Sequence, residues 1–420
     1  MKIFICDANY RNNEYKGLAY SWLLWEAQLA KVKIVSPNDA DIVLMTVASP
    51  QGVEDVKREV KRLRKGGCRA PVFLGGGGCY APAIFEDYVD AVFVGEGQEI
   101  IRTLFTQGID AALQLDNVWI KNDTRQVIPS TAFPWDVPPL LDPDGTVRVF
   151  GARGCRYKCL FCQTGWAMPY QPCPNTARLQ HQLDELYKQK RKCAVVVNDA
   201  AEESLTFKGP QQFVSARYSN LLKMMPFDNS FTRTVRIGVE GVSERLRVAV
   251  GKPVDNDGLL NLTAYCCEKK INVRWFFVVG LPGETEKDYE EFKELIKGVQ
   301  KIKRGPVIVA SLHSFYPQPA TPLGVLPLEE TYYERVSEIR EWFFKGLGYN
   351  KRLSIVRPAG YKGRRLRSCQ AMACTDEDLM RGWFENHNRN WRVKYLLPPE
   401  RLRIAAQAYA RKVGIKPCAP

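Results

Sequence analysis

Three cysteines stand close together in the stretch RGCRYKCLFCQTGW: Cys155, Cys159 and Cys162, spaced C-x3-C-x2-C. A loop this short brings three thiolates to one inorganic cluster and supplies no fourth. Three cysteines can hold three irons of a 4Fe-4S cluster and leave the fourth iron open, and an open metal position is where chemistry takes place. A zinc ion would want a fourth ligand, and neither a C-x2-C partner nor a nearby histidine provides one. The chain has only three histidines, His181, His313 and His387, so sulfur is the expected metal ligand. Thirteen cysteines is an odd number, which forbids complete disulfide pairing and favours ligation for some of them. Cys369 and Cys374, within SCQAMAC, and Cys418 offer too few ligands for a second centre and read as buried thiols. Cys193, Cys266 and Cys267 lie in apolar patterns and read as core.

The loop needs a scaffold, and the flanking sequence supplies one. It follows the strand candidate VRVFGA, and CAVVVND, TVRIGVEG, NVRWFFVVG and PVIVASLHSF continue the series. Amphipathic segments such as ARLQHQLDELYKQK and EKDYEEFKELIKGVQ lie between them. Such alternation over about 180 residues points to a partial or complete α/β barrel. Ahead of it, KIFIC, DIVLMTV, APVFLGG and DAVFVG read as buried strands, and GVEDVKREVKRLRKGG carries Val53, Val56, Val60 and Leu63 at helical spacing. That alternation predicts an N-terminal doubly wound, Rossmann-like domain, whose ligands would sit beyond the carboxyl ends of the strands. Two loops stand there, Asp7 to Tyr10 and Gly75 to Cys79. Five prolines in the seventeen residues 129–145 mark a linker. The expected organisation is a Rossmann-like domain over 1–128, the linker over 129–145, a barrel over 146–328, and a basic, mainly helical extension over 329–420.

The cysteine loop after the first barrel strand resembles that of the radical S-adenosylmethionine (radical SAM) superfamily. RIGVEGVSERL resembles the fourth-strand segment that members often carry as GIESGSERVL. FFVVGLPGETEKDYEEF resembles the fifth-strand segment with its GLPGET turn, and SFYPQPATPLG the sixth-strand segment. The similarity runs from Val147 to Leu328. It implies that the open iron chelates the amino and carboxylate groups of SAM, that one electron from an external reductant cleaves the sulfonium, and that the 5′-deoxyadenosyl radical abstracts hydrogen from substrate. Glu240, Gly280, Gly283 and Glu284 are the SAM contacts that the resemblance implies. The usual glycine-glycine-glutamate after the second strand is absent. Asn198-Asp199-Ala200 stands in its place, making Asn198 a further cofactor-binding candidate.

The front segment APVFLGGGGCYAPAIF, followed by VDAVFVGEGQEI, resembles the cobalamin-binding domain that precedes the barrel in one large subgroup. Gly75 and Gly76 would let the backbone approach a cofactor closely. The Asp-x-His-x-x-Gly motif common in such domains is missing, and no histidine precedes His181. Two readings stay open: cobalamin held without a protein imidazole, or a scaffold without the cofactor. Methylthiotransferases are a more distant resemblance. Cys6 and Cys79 match the first and third of their three front-domain cysteines, but the stretch where the middle one belongs, LMTVASP, has none.

Sixty basic against 46 acidic residues give a net +14, and residues 351–420 hold 16 basic and 5 acidic, hence +11 of it. Tyr361, Trp383, Phe384, Trp391 and Tyr395 are set among these arginines, an arrangement suited to stacking on bases. The expected substrate is a nucleic acid, DNA or RNA, modified at a base or at a substituent attached to one. The alternative is a cobalamin-dependent methyltransferase or rearranging enzyme acting on a small molecule or peptide. No run of about 18 apolar residues indicates a membrane span, and the N-terminus lacks a secretory pattern, so a cytoplasmic location is expected.

Overall fold

A computed structural model describes residues 1–8, 17–49, 52–121, 125, 127–142, 145–196, 207, 209, 211–302, 305–326, 332–346, 353–356 and 399–415. Contacts divide them into two compact units, one built on Met1–Gly145 and one on Thr146–Tyr316, to which Leu353–Val356 and Leu402–Ile415 also belong.

In the first unit the apolar runs become strands β1 (Lys2–Asp7), β2 (Lys33–Ile34), β3 (Ile42–Thr46), β4 (Val72–Gly75), β5 (Ala91–Phe93) and β6 (Val118–Ile120). They form one sheet in the order β2-β1-β3-β4-β5-β6, parallel except for the last pair. All five residues of β3 are buried, as a central strand covered on both faces requires. Helix α1 (Leu18–Leu29) follows β1, and α2 (Val53–Lys65) follows β3. Val53, Val56, Val60 and Leu63 form the buried stripe of α2. Glu54 and Asp55 at its start and Arg62, Arg64 and Lys65 at its end complement the helix dipole. Helices α3 (Gln98–Gln107) and α4 (Ile109–Leu113) precede the closing antiparallel strand.

The strand order reverses between β1 and β3, the point where open parallel sheets receive ligands. The glycine run after β4 lies beside that point, against the backbone that follows β3. A Cβ on Gly76, whose φ is +111°, would overlap Val47 O, and one on Gly77 or Gly78 would lie 2.6 Å from Ala48 O or Ser49 O. Loop-to-loop packing therefore demands these glycines whatever else they do. Gly75 differs, since an added Cβ there would meet only the Phe93 side chain, at 3.7 Å. Gly76→Val should destabilise the first unit by at least about 2 kcal/mol, combining the left-handed backbone with the overlap. Gly75→Ala should stay within about 1 kcal/mol of the parent. Urea denaturation followed by circular dichroism measures both, and equal effects at the two positions would contradict the packing account.

In the second unit β7 (Val147–Phe150) pairs in parallel with β10 (Cys193–Val196), and a short antiparallel pair, β8 (Ala152–Arg153) with β9 (Gln171–Pro172), follows the first of them. A five-stranded parallel sheet runs β11 (Val214–Ala216), β12 (Thr234–Glu240), β13 (Asn272–Val279), β14 (Ile308–Ser314) and β15 (Leu353–Val356). Gln212 N donates to Cys193 O at 2.9 Å and carries the curvature from one sheet to the next. The connecting helices are α5 (Gln163–Ala167), α6 (Thr176–Lys188), α7 (Tyr218–Met224), α8 (Glu244–Ala249), α9 (Asn256–Glu268), α10 (Glu286–Gln300) and α11 (Tyr332–Gly346), with α12 (Pro399–Val413) last. Strands alternate with helices as in an open α/β barrel. Strand β15 was not foreseen: its apolar residues sit within RLSIVR, where flanking charges hide a short strand.

Candidate active site

The first strand of the second unit delivers the chain into the cysteine loop. Gly154 adopts φ +65°, and a Cβ there would overlap Pro169 O, so only glycine closes this turn. Gly165 is equally restricted, by Tyr157 O. Cys162 N and Trp166 Nε1 both donate to Cys159 O, at 3.1 and 3.0 Å, and Lys158 Nζ donates to Gly165 O. The loop is thus tied at both ends, with Cys159 buried and Cys155 and Cys162 half-buried.

Two cations face Cys159. Arg217, directly after β11, donates to Cys159 Sγ at 3.3 Å and to Gly251 O at 2.7 Å, while its guanidinium lies 4.1 Å over the Tyr157 ring. Tyr157 in turn donates to Asn220 Oδ1 at 3.1 Å. Lys252 is the second cation. Burial pushes the Cys159 thiol up to about 11, against the pull of Lys252 and Arg217. A buried sulfur beside two positive groups suits a thiolate whose charge is shared with a metal. Among the described residues no three of His, Cys, Asp and Glu converge as a single-ion centre requires. The three loop cysteines are among them, so what suits an iron–sulfur cluster better than a mononuclear zinc ion is their spacing, three sulfurs on one loop with no fourth ligand, rather than a convergence of the sulfurs.

Glu240 ends β12 in a left-handed conformation, φ +71°, at a bulge in the pairing with β13. It forms an ion pair with Lys252 at 2.9 Å, the side chains being 13% and 8% exposed. A Cβ on Gly238 would overlap both Lys252 Nζ and Glu240 Oε1, so this glycine makes room for the pair. The GLPGE turn follows β13, with Gly280 and Gly283 at φ +86° and +82°. Glu284 accepts from Gly280 N at 2.8 Å, from Leu281 N at 2.9 Å and from the Tyr289 hydroxyl. Burial pushes its carboxyl up to about 7 against these donors. Both oxygens of Glu284 are thereby engaged within its own turn. Gly283 lies under α12: a Cβ there would come 2.7 Å from Val413 Cγ2. Asn198 lies outside the described residues.

Three groups escaped the sequence reading. Arg217 stands just past the carboxyl end of a barrel strand, where charged residues carry function in α/β barrels, and Lys252, in the turn after α8, reaches the end of β12 through its ion pair with Glu240. His313 on β14 is the third. Its Nε2 is buried with no hydrogen-bond partner among the described residues, its ring is 5.6 Å from that of Phe276, and burial lowers its pKa while Glu240 opposes the shift.

In the front unit Cys6, Cys68 and Cys79 are buried, and desolvation raises the thiols of Cys6 and Cys79.

No family model matches the chain. It is 24% identical over 334 residues to the uncharacterized protein MJ0966 of Methanocaldococcus jannaschii, covering 72% of each chain. Among solved structures it resembles OxsB, a cobalamin-dependent S-adenosylmethionine radical enzyme, with aqua-cobalamin bound (TM-score 0.54, 15% identity, 91% of this chain and 67% of that one). The same enzyme with aqua-cobalamin and S-adenosylmethionine bound gives a TM-score of 0.53 at 14% identity, covering 91% and 66%. The fold is that of a cobalamin-dependent radical SAM enzyme. In this chain the cysteine loop comes shortly after the first strand of the second unit. This chain spans about two thirds of OxsB. Among the described residues no helix is long and apolar enough to cross a membrane.

Proposed function

We propose that this protein is a radical SAM enzyme in which Cys155, Cys159 and Cys162 hold one 4Fe-4S cluster. The observation that carries the reading is Arg217 donating to Cys159 Sγ within a tied C-x3-C-x2-C loop at the head of a radical SAM barrel. When bound, the cluster and SAM supply the one-electron cleavage of a sulfonium that yields a 5′-deoxyadenosyl radical, with an external one-electron reductant as the source. The chain's own residues bind and orient. Arg217 and Lys252 balance sulfur charge, and Glu240, fixed by Lys252, offers a carboxylate to SAM. Gly280 and Gly283 let the turn approach the cofactor, and Glu284, which also holds the turn through Gly280 N and Leu281 N, is a contact as well. Asn198 is a further contact.

The front unit takes cobalamin at the carboxyl ends of β1, β3 and β4, near Gly75 and Gly76, with no protein imidazole on cobalt. Electron paramagnetic resonance of the cobalt(II) form should show no nitrogen splitting from a protein histidine, because none precedes His181. Such splitting would contradict the assignment.

The substrate is a nucleic acid base or a group attached to one, bound in the cytoplasm with help from the basic residues after 350. Their excess of +11 supports a polyanionic partner. Arg364, Arg365 and Arg367, like Tyr361, Trp383, Phe384, Trp391, Tyr395, Cys369, Cys374 and Cys418, lie outside the described residues. Anaerobic reconstitution with SAM and reductant, with mass spectrometry of offered DNA and RNA, tests the reaction. Replacing the three arginines by alanine should weaken binding to all sequences alike and lower the slope of log affinity against log salt by up to about three contacts' worth. Unchanged affinity and slope for both polymers would favour a small-molecule or peptide substrate.

A further inference from the structure

Arg217 is the single residue between β11 and α7, so two elements fix its backbone. Asn220 N and Leu221 N both donate to Arg217 O at 3.1 Å and close the first turn of the helix on it. Its buried side chain is clamped on three sides. One terminal nitrogen donates to Cys159 Sγ at 3.3 Å and the other to Gly251 O at 2.7 Å. The Tyr157 ring centroid lies 4.1 Å from the guanidinium, and the Tyr157 hydroxyl donates to Asn220 Oδ1 at 3.1 Å. The clamp closes on itself. Tyr157 belongs to the same loop as Cys159, Asn220 to the helix that begins beside Arg217, and Gly251 follows Val250, whose carbonyl receives Leu160 N of that loop.

We propose that Arg217, held by Tyr157 and Gly251, is a positioning residue that acts through Cys159 to raise the reduction potential of the cluster. The inference rests on the radical SAM reading and deepens it, from which sulfurs hold the cluster to what sets the ease of its reduction. Reduction adds one electron, taken from the external reductant, and part of the added negative charge falls on the sulfurs. A hydrogen bond from a cation to one of those sulfurs strengthens as that charge arrives, so it favours the reduced form. A guanidinium keeps its proton at every working pH, and a buried one is little screened by salt. Because the ring and the carbonyl hold the donor in place beforehand, little rearrangement opposes the gain. A weaker external reductant then suffices than would serve the same cluster without the cation.

The full-length protein is reconstituted anaerobically with iron and sulfide, and the midpoint potential of its cluster is read without SAM, by electron paramagnetic resonance of samples poised at known potentials. Arg217→Met removes both charge and donor. It should move the balance of reduced to oxidised cluster at least tenfold toward the oxidised form, about 59 mV downward for one electron. Arg217→Lys keeps the charge without the fork and should recover part of that shift. Tyr157→Leu keeps the arginine but removes its platform, and should lower the potential by less than the methionine variant. Arg62→Gln, an exposed change in the front unit, should match the parent. A methionine variant that holds its cluster at the parent's potential overturns the proposal, as does a lysine variant no closer to the parent than methionine. Should the methionine variant take up no cluster, the parent decides. With its arginines labelled by heavy nitrogen in the guanidinium, the reduced cluster should show an isotope-dependent nitrogen coupling in pulsed electron paramagnetic resonance, and no coupling overturns the bond to sulfur. Cleavage of SAM is scored separately. A cluster that cleaves SAM at a potential insensitive to Arg217 sinks only this role, a responsive potential without cleavage sinks only the radical SAM reading, and a parent that takes up no cluster sinks both.

Discussion

Replacing Cys155, Cys159 and Cys162 together by alanine is expected to abolish the broad absorption at about 400 nm that thiolate-to-iron charge transfer gives, and with it all reductive cleavage of SAM. The loss should be complete, because the proposed cluster takes all three of its protein sulfurs from this one loop. The fold should survive. The loop is tied through backbone groups, Cys162 N to Cys159 O and Leu160 N to Val250 O, and these bonds need no side-chain sulfur. Far-ultraviolet circular dichroism should therefore match the parent while 5′-deoxyadenosine disappears from the assay. A folded triple variant that still forms 5′-deoxyadenosine would refute the assignment of the cluster.

Arg247 should dominate stability in the same unit. It is fully buried in α8, yet its guanidinium donates to Gly241 O at 2.9 Å, Val254 O at 2.9 Å, Asn256 Oδ1 at 2.8 Å and Val242 O at 3.3 Å. Burial lowers its pKa to about 10, with Glu291, Glu244 and Asp255 opposing the shift. These bonds pin the turn after β12 to the segment that follows Lys252, and so steady the Glu240–Lys252 pair from behind. Arg247→Met would leave the buried carbonyls without donors and should cost about 3–5 kcal/mol. Arg247→Lys should recover little, since an ammonium cannot span four acceptors set out for a fork. Urea midpoints for the two variants check this, and a methionine variant as stable as the parent would contradict it.

Much of this architecture could be read from residues alone, for reasons that differ by element. The run IVLM within DIVLMTV identifies a strand covered on both faces because four consecutive apolar residues leave no polar side to turn to solvent, and the valines and leucine of α2 repeat at helical spacing. The cysteine loop was legible because spacing alone constrains how many sulfurs can meet. Arg217 was not, because β11 is only three residues long and gives too little alternation to show where a strand ends. Lys252 was hidden for a related reason: its partner Glu240 is twelve residues away, joined to it by a bulge and a left-handed residue that no periodicity announces. Glu284 shows the opposite limit. Its place in the GLPGE turn suggests a ligand contact, and what no spacing announces is that its oxygens also accept from Gly280 N and Leu281 N of the same turn.

The seating of α12 on the GLPGE turn has a consequence for how the molecule comes into being. Tyr409 donates to Pro282 O at 2.8 Å, a bond between residues 127 positions apart. A ribosome adding about 5–20 residues per second needs roughly 6–25 s to travel that distance, during which the turn exists without its cover. The barrel's strands can pair in order as they emerge, but this corner must wait for a helix made long afterwards. A nascent chain halted between Glu284 and Tyr409 would display an open glycine-rich corner with a carboxylate at its centre, a state that chaperones and proteases meet first. Emergence of α12, rather than cofactor arrival, is then the earliest moment at which this end of the barrel can close.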